Sequence, residues 1–429
     1  MTVAQESVLD VSEAVRIGRR VFADHRVTFV CTLYGSTGSF FLYSLLDNHP
    51  DLYTFPYDIR RAPVDLEDFD ARPRAAHVRA LLEDNERLFD TARDRSFTNS
   101  LQYLGDGRDA GLVIDRERFA AYLDALLDVA DFSPRTFTLA VVLAYNFARN
   151  VVPRSSRVVL YTHDLIRTVR LWKRAIPDAG IVAACRHPVN VFASYCARKR
   201  FESADRARLP APYALTEIES FPDLTTLLAA AGDVRLLLIE ELHARPESSM
   251  RALAADLGVP FTDTLLQSSI GGLRWWGSHQ RVGTINGFSR ELHRTLASEA
   301  IGARAERMIW RSTARFQRHA GYASVGPARA SAVTARWPRI AVTYYRDLAR
   351  AAAALIRAAG TARARFGVVR RAANAAAHYA LVWWRERAAV RELARRDAGA
   401  DYSPVRIVNP LSADSLCRPG PGADGGASS

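Results

Sequence analysis

Residues 27–50, VTFVCTLYGSTGSFFLYSLLDNHP, constrain the fold most because they predict a strand, a turn and a helix in immediate succession. An apolar, β-branched run (residues 27–33) ends at a Gly/Ser/Thr loop (34–39), and an apolar helical pattern follows. The first amides of such a helix lack intrahelical partners and carry partial positive charge, so they can bind an anion such as phosphate. The chain contains no Gly-Lys-Ser/Thr, which excludes a Walker A loop. An ordinary strand-to-helix turn with a Ser/Thr cap is the alternative.

Other short apolar runs predict buried strands at residues 157–162, 180–185 and 235–239, with helical patterns between them. Such alternation indicates an α/β fold, with a central parallel sheet covered by helices on both faces. Ligands bind at the carboxyl ends of the strands in sheets of this kind. Residues 51–135 are rich in charge and helical patterning, and we expect a helical insertion there rather than sheet.

Composition indicates a globular chain, since 48% of its 429 residues are hydrophobic. The longest apolar stretches are too short to cross a bilayer, and no signal peptide is visible. Four cysteines without paired spacing favour buried thiols over disulfides. These features predict a cytoplasmic location.

The positive charge is concentrated near the C-terminus. Residues 325–429 contain 17 Arg, no Lys and 7 acidic residues, and so carry most of the net charge of +12. We expect a helical lead-in (1–26), a main domain (27–325), an Arg/Ala-rich helical extension (326–400) and a disordered tail (401–429). The extension either packs through its alanine face or contacts an anionic surface such as a membrane. No nucleic-acid-binding motif accompanies the charge, so nucleic acid is not an expected partner.

Three segments together resemble sulfotransferases that use 3′-phosphoadenosine 5′-phosphosulfate (PAPS). They are the loop and helix ending at His49-Pro50, the segment from Arg186 to Ser194, and the end of the strand at 157–162. The resemblance implies a P-loop-NTPase-like sulfotransferase fold with PAPS as the donor and no metal. It implies that the 5′-phosphosulfate is held by Gly35, Ser36, Thr37, Gly38, Ser39 and Phe40. Relatives usually carry Lys or Arg where this chain has Ser36, so another cation must supply that charge.

The resemblance implies that Arg186 and Ser194 bind the 3′-phosphate. An Arg guanidinium suits phosphate because its planar fork can bind two oxygens at once. Arg281, in a later segment that resembles a loop closing over the nucleotide, is a candidate for a second 3′-phosphate cation. Trp275 and Trp276, just before it, either stack on adenine or belong to the core.

His163 is the candidate catalytic base. Cytosolic sulfotransferases have Lys-Thr-His at the end of the corresponding strand, and here the triplet is Tyr-Thr-His. A histidine of near-neutral pKa suits the deprotonation of an alcohol, although a His that only caps the strand is the alternative. Asp58 is the rival base, since Golgi-type relatives use a Glu at a similar distance after His-Pro.

The expected reaction is transfer of a sulfuryl group from PAPS to an acceptor hydroxyl on a carbohydrate, a glycolipid or a small metabolite. In the family, the insertion after the first helix commonly shapes the acceptor site, which implies that role for residues 51–135. Two alternatives stay open: a P-loop kinase or other phosphotransferase, and a non-catalytic nucleotide-binding member of the fold.

Overall fold

The chain divides into two compact units, comprising residues 1–187, 223–296 and 401–429 in the first and 188–222 and 297–400 in the second. The computed structural model describes residues 8–33, 37–56, 69–93, 101–163, 165, 171–191, 194, 234–277, 287–289, 309–310, 313–322, 395, 398 and 405–410.

Six parallel strands form the central sheet of the first unit. Their bounds are β1 Arg26–Thr32, β2 Leu52–Phe55, β3 Arg157–Thr162, β4 Gly180–Cys185, β5 Val234–Leu238 and β8 Val405–Ile407. Between β5 and β8 in the sequence, β6 Ser269–Ile270 and β7 Leu273–Arg274 form a separate antiparallel pair. The order across the sheet is β2-β3-β1-β4-β5-β8. β2 and β3 lie on one side of β1, and the chain then crosses to the other side to form β4 and β5. In sheets with such a change of side, ligands bind at the carboxyl ends of the strands beside the crossover, which here is next to β1.

Helices surround this sheet. Those of the first unit are α1 Val11–Asp24, α2 Ser39–Leu46, α3 Arg74–Glu83, α4 Glu86–Phe89, α5 Arg116–Leu127, α6 Pro134–Ala148, α7 Lys173–Ala175, α8 Ile239–Ala244 and α9 Pro246–Leu257. In the second unit the described helix is α10 Ala314–His319. None of the helices in the described ranges is both long and apolar enough to cross a membrane.

The predicted α/β class is confirmed, and so are the bounds of β3, β4 and α9. β1 and β5 each begin and end one residue earlier than predicted. These strands are buried almost throughout, as parallel strands covered on both faces must be. The start of α6 is fixed by Ser133, whose side chain and that of Thr136 form a reciprocal capping box.

Two predictions are wrong. Residues 51–135 contain β2, a fully buried strand beside β3, and not only helices. Residues 405–407, placed in a disordered tail, form the edge strand β8 on β5. Both strands are very short, and their backbone partners lie far away in the sequence. The predicted extension at 326–400 lies almost wholly outside the described residues.

Candidate active site

The N-terminus of α2 is the clearest candidate for an anion site. Gly38 precedes the helix with φ 83°, a left-handed conformation that suits glycine. The first intrahelical bond runs from the Leu42 amide to the Gly38 carbonyl, at 3.0 Å. Within the described part of the chain, no side chain caps this helix. The amides of Ser39, Phe40 and Phe41 are therefore left for a ligand or water.

Side chains around this helix end face the protein rather than a ligand. The Thr37 hydroxyl donates to the Thr32 Oγ at 2.9 Å, which ties the loop to the end of β1, and Thr37 is 1% exposed. The Phe40 ring is buried and packs edge-on against Tyr161 and Trp275, with ring centroids 5.0 and 5.1 Å away. Of the predicted phosphosulfate residues, Thr37 and Phe40 can thus offer their backbone amides more readily than their side chains.

Trp275 and Trp276 have packing roles. Trp275 is 4% exposed and belongs to the core beside Phe40. Trp276 donates from its indole nitrogen to the Gly105 carbonyl at 2.5 Å. The guanidinium carbons of Arg108 and Arg274 lie 4.4 and 4.2 Å from its ring centroid. These contacts favour the core alternative over stacking on adenine.

His163 directly follows β3, the strand beside β1. It is partly exposed, and its Nδ1 lies 3.1 Å from the Tyr161 hydroxyl oxygen. Residues 161 and 163 lie two apart in an extended segment, so their side chains point to the same face. Because β1 and β3 are paired up to Cys31 and Thr162, His163 lies at the same edge as the loop before α2.

Arg186 directly follows β4, on the other side of β1. Its positive charge acts on His243 in α8. Burial, the larger cause, and the Arg186 guanidinium together lower the pKa of His243 to about 3. His243 is therefore neutral, and its Nδ1 accepts from the Ser289 amide at 3.0 Å. Its ring stacks on Phe41 with 4.9 Å between centroids and 6° between planes.

Glu240 adds a buried carboxylate at the same edge. It is 1% exposed, and its Oε1 accepts from the His187 amide at 2.8 Å, so α8 braces the turn that follows Arg186. Neither Glu240 nor His243 is among the site residues predicted from the sequence. Their signal was visible, because three ionisable residues follow a buried strand within five positions, at Glu240, Glu241 and His243.

His49 of the His-Pro pair has a structural role. Its Nε2 donates to the Pro260 carbonyl at 2.9 Å and its Nδ1 accepts from the Asp51 amide at 3.1 Å. Burial, the largest cause, lowers the pKa of this imidazole. His49 therefore joins the turn after α2 to the segment after α9.

Several predicted site residues lie outside the described residues: Gly35, Ser36, Asp58 and Arg281. Ser194 is described but belongs to the second unit. The described residues thus bring the α2 N-terminus, His163 and Arg186 to the carboxyl edge of three adjacent strands, β3, β1 and β4.

The sequence profile of the sulfotransferase family matches residues 35–263, more than half of the chain. The chain belongs to the sulfotransferase family. The matched range includes the α2 N-terminus, His163, Arg186 and the ionisable residues of α8. The chain is similar to the crystal structure of sulfotransferase STF9 from Mycobacterium avium, at 16% identity over 72% of this chain and 81% of that one. The TM-score of that pair is 0.35. No curated protein matches the chain.

Proposed function

We propose that this protein transfers a sulfuryl group from PAPS to an acceptor hydroxyl. The observation that carries the proposal is a helix N-terminus that no described side chain caps, flanked by a histidine after one neighbouring strand and an arginine after the other. The helix amides and the loop from Gly35 to Phe40 would hold the 5′-phosphosulfate. Arg186, with Ser194 and Arg281, would hold the 3′-phosphate.

The chain's residues fit an anionic nucleotide at this edge. Gly38 adopts the left-handed conformation, with φ 83°, that turns the chain into the start of α2. The α2 amides and Arg186 supply partial and full positive charge where phosphate and sulfate oxygens would lie. Because Ser36 brings no charge, these groups are also our candidates for stabilising the negative charge that builds up as the donor S–O bond breaks.

His163 would act as the base. Its Nε2 would take the proton of the acceptor hydroxyl as that oxygen forms a bond to sulfur. The bond between sulfur and the bridging oxygen then breaks, and its electrons leave with the 5′-phosphate. A positioned base of this kind typically contributes about 10²- to 10⁴-fold to a rate. Asp58 stays the rival base.

Calorimetry with adenosine 3′,5′-bisphosphate tests the nucleotide assignment. Loss of one charge-assisted contact, worth about 1.5–3 kcal/mol, should make Arg186→Ala bind about 10- to 100-fold more weakly than wild type. Arg16→Ala is the matched control, because it removes an arginine that pairs with Glu13 on the surface of α1. Preference of the wild-type protein for ATP with magnesium would instead indicate a kinase.

Transfer from labelled PAPS tests the activity itself. We propose a carbohydrate, a glycolipid or a small hydroxylated metabolite as the acceptor, so the panel includes all three. His163→Ala should bind the bisphosphate normally and transfer sulfate at least about 100-fold more slowly. Normal transfer by this variant, with loss in Asp58→Ala, would assign the base to Asp58. Nucleotide binding without transfer to any acceptor would favour a non-catalytic member.

We also propose a cytoplasmic protein whose basic segment, residues 326–400, contacts an anionic membrane. The buried thiols of Cys31 and Cys185 suit a reducing compartment. Replacing four arginines of this segment by Glu, at 363, 365, 370 and 371, should abolish sedimentation with phosphatidylserine vesicles at low salt. Equal sedimentation of the variant and wild type would exclude this role.

A further inference from the structure

Tyr161 occupies the position where cytosolic relatives have the Lys of Lys-Thr-His. A phenol cannot replace an ammonium as a charge, so its role must come from its own contacts. Tyr161 is 3% exposed, and its hydroxyl oxygen lies 3.1 Å from His163 Nδ1. Tyr161 is thus within hydrogen-bond distance of the candidate base.

Two aromatic residues of α2 pack against the ring of Tyr161. Phe40 meets it edge-on with 5.0 Å between centroids and 80° between planes, and Tyr43 lies 5.6 Å away. Tyr43 is itself fixed, because its hydroxyl donates to the Phe55 carbonyl at 2.6 Å and accepts from the Phe55 amide at 2.5 Å. The Tyr161 hydroxyl is therefore presented to His163 from a rigid position rather than from a mobile side chain.

A neutral imidazole carries one proton, on either Nδ1 or Nε2. If the phenol donated to Nδ1, the proton would be on Nε2, and neither nitrogen could take a proton from an acceptor. If Nδ1–H donates to the phenol oxygen, Nε2 keeps its lone pair for that task. The partner of one ring nitrogen thus decides what the other can do.

We infer that Tyr161 is a positioning residue that accepts a hydrogen bond from His163 Nδ1–H and so leaves Nε2 unprotonated to act as the base. This inference rests on the proposed role of His163. It gives Tyr161 the orienting task that a carboxylate performs beside histidine in other enzymes.

Tautomer measurement by NMR tests this without any substrate. In histidine-labelled protein above the imidazole pKa, the ¹⁵N shifts of each ring show which nitrogen is protonated, and the His163→Gln spectrum assigns the signal. Wild type should show His163 protonated on Nδ1. Tyr161→Phe should move the population toward Nε2–H, whereas Tyr122→Phe, which removes a buried hydroxyl that donates to the Leu9 carbonyl, should leave the tautomer unchanged.

Kinetics gives the second readout. Tyr161→Phe should bind adenosine 3′,5′-bisphosphate within about twofold of wild type and lower kcat by about 10-fold or more, as expected when a base is misoriented. Wild-type His163 protonated on Nε2, or an unchanged tautomer in Tyr161→Phe, would overturn the inference. If instead the tautomers behave as expected but His163→Ala transfers sulfate normally, the proposed function of His163 fails while the orientation by Tyr161 stands.

Discussion

Asn409 provides a sharp test of how the sheet is completed. It is 4% exposed and extends the pairing of β5 and β8 beyond the strand itself. Its Oδ1 accepts from the Leu238 amide at 2.7 Å, and its Nδ2 donates to the Leu238 carbonyl at 3.0 Å and to the Ser249 hydroxyl at 3.1 Å. One amide side chain thus satisfies both backbone groups of the last residue of β5.

Asn409→Ala removes all three hydrogen bonds and leaves the buried Leu238 groups without these partners. At about 1 kcal/mol for each lost bond, the local free energy of unfolding should fall by about 3 kcal/mol. The consequence is faster amide exchange in β5, by about 100-fold, since 1.4 kcal/mol corresponds to a factor of ten. Hydrogen exchange measured by mass spectrometry on peptides covering residues 234–238 checks this.

The control is Pro410→Ser, which alters the exposed neighbour and should change exchange in β5 only a few-fold. Peptides from β3, four strands away from β8 in the sheet order, should exchange alike in both variants if the opening is local. Exchange in β5 of Asn409→Ala within threefold of wild type would refute the reasoning, because the Leu238 groups would then not depend on this side chain.

Three further predictions concern the site and the core. Gly38→Ala places a Cβ on a residue with φ 83°, so the variant should be less stable by about 1–2 kcal/mol in thermal unfolding and should bind adenosine 3′,5′-bisphosphate more weakly. An unchanged melting temperature would contradict the predicted backbone strain. Asp256→Asn should lower the free energy of unfolding by about 3–5 kcal/mol in chemical denaturation, because the buried Arg235 would lose its carboxylate partner 2.6 Å away. Asp263→Asn, at an exposed position, is the control. His243 takes up a proton near pH 6.5 when unfolded but only near pH 3 when folded, so its contribution to stability should fall by about 1.4 kcal/mol per pH unit as the pH drops below 6.5. His243→Gln should flatten that slope, and parallel slopes in denaturant titrations from pH 6.5 to 4.5 would contradict this.

The parts of the fold that could be predicted are those whose signal is local. β3 and β4 are continuous apolar runs because helices cover both of their faces, so their bounds can be read from composition alone. The left-handed start of α2 follows from a glycine placed directly before an apolar helix. β2 and β8 could not be predicted, since three or four residues carry no useful periodicity and are held in place by backbone pairing with distant strands.

The candidate site divides in the same way. His163 and Arg186 could be found because each directly follows a buried strand in a segment with a family pattern. Glu240 accepts from the His187 amide because β4 and β5, the strands that precede these two residues, are neighbours in the sheet. No local pattern predicts that pairing. The packing of Phe40 on Tyr161 and Trp275 brings together three segments, and no pattern within any one of them reveals it.

The position of β8 has a consequence for the order in which the protein is made. Asn409 pairs with a residue 171 positions earlier, so the synthesised chain reaches β5 long before it contains the strand that covers β5. Until then, β5 is an apolar edge whose unpaired backbone can recruit other chains. Newly made chains that stop short of residue 405 should therefore associate with each other. A ribosome that stalls between β5 and β8 would leave a product prone to aggregation rather than a slightly shorter folded protein.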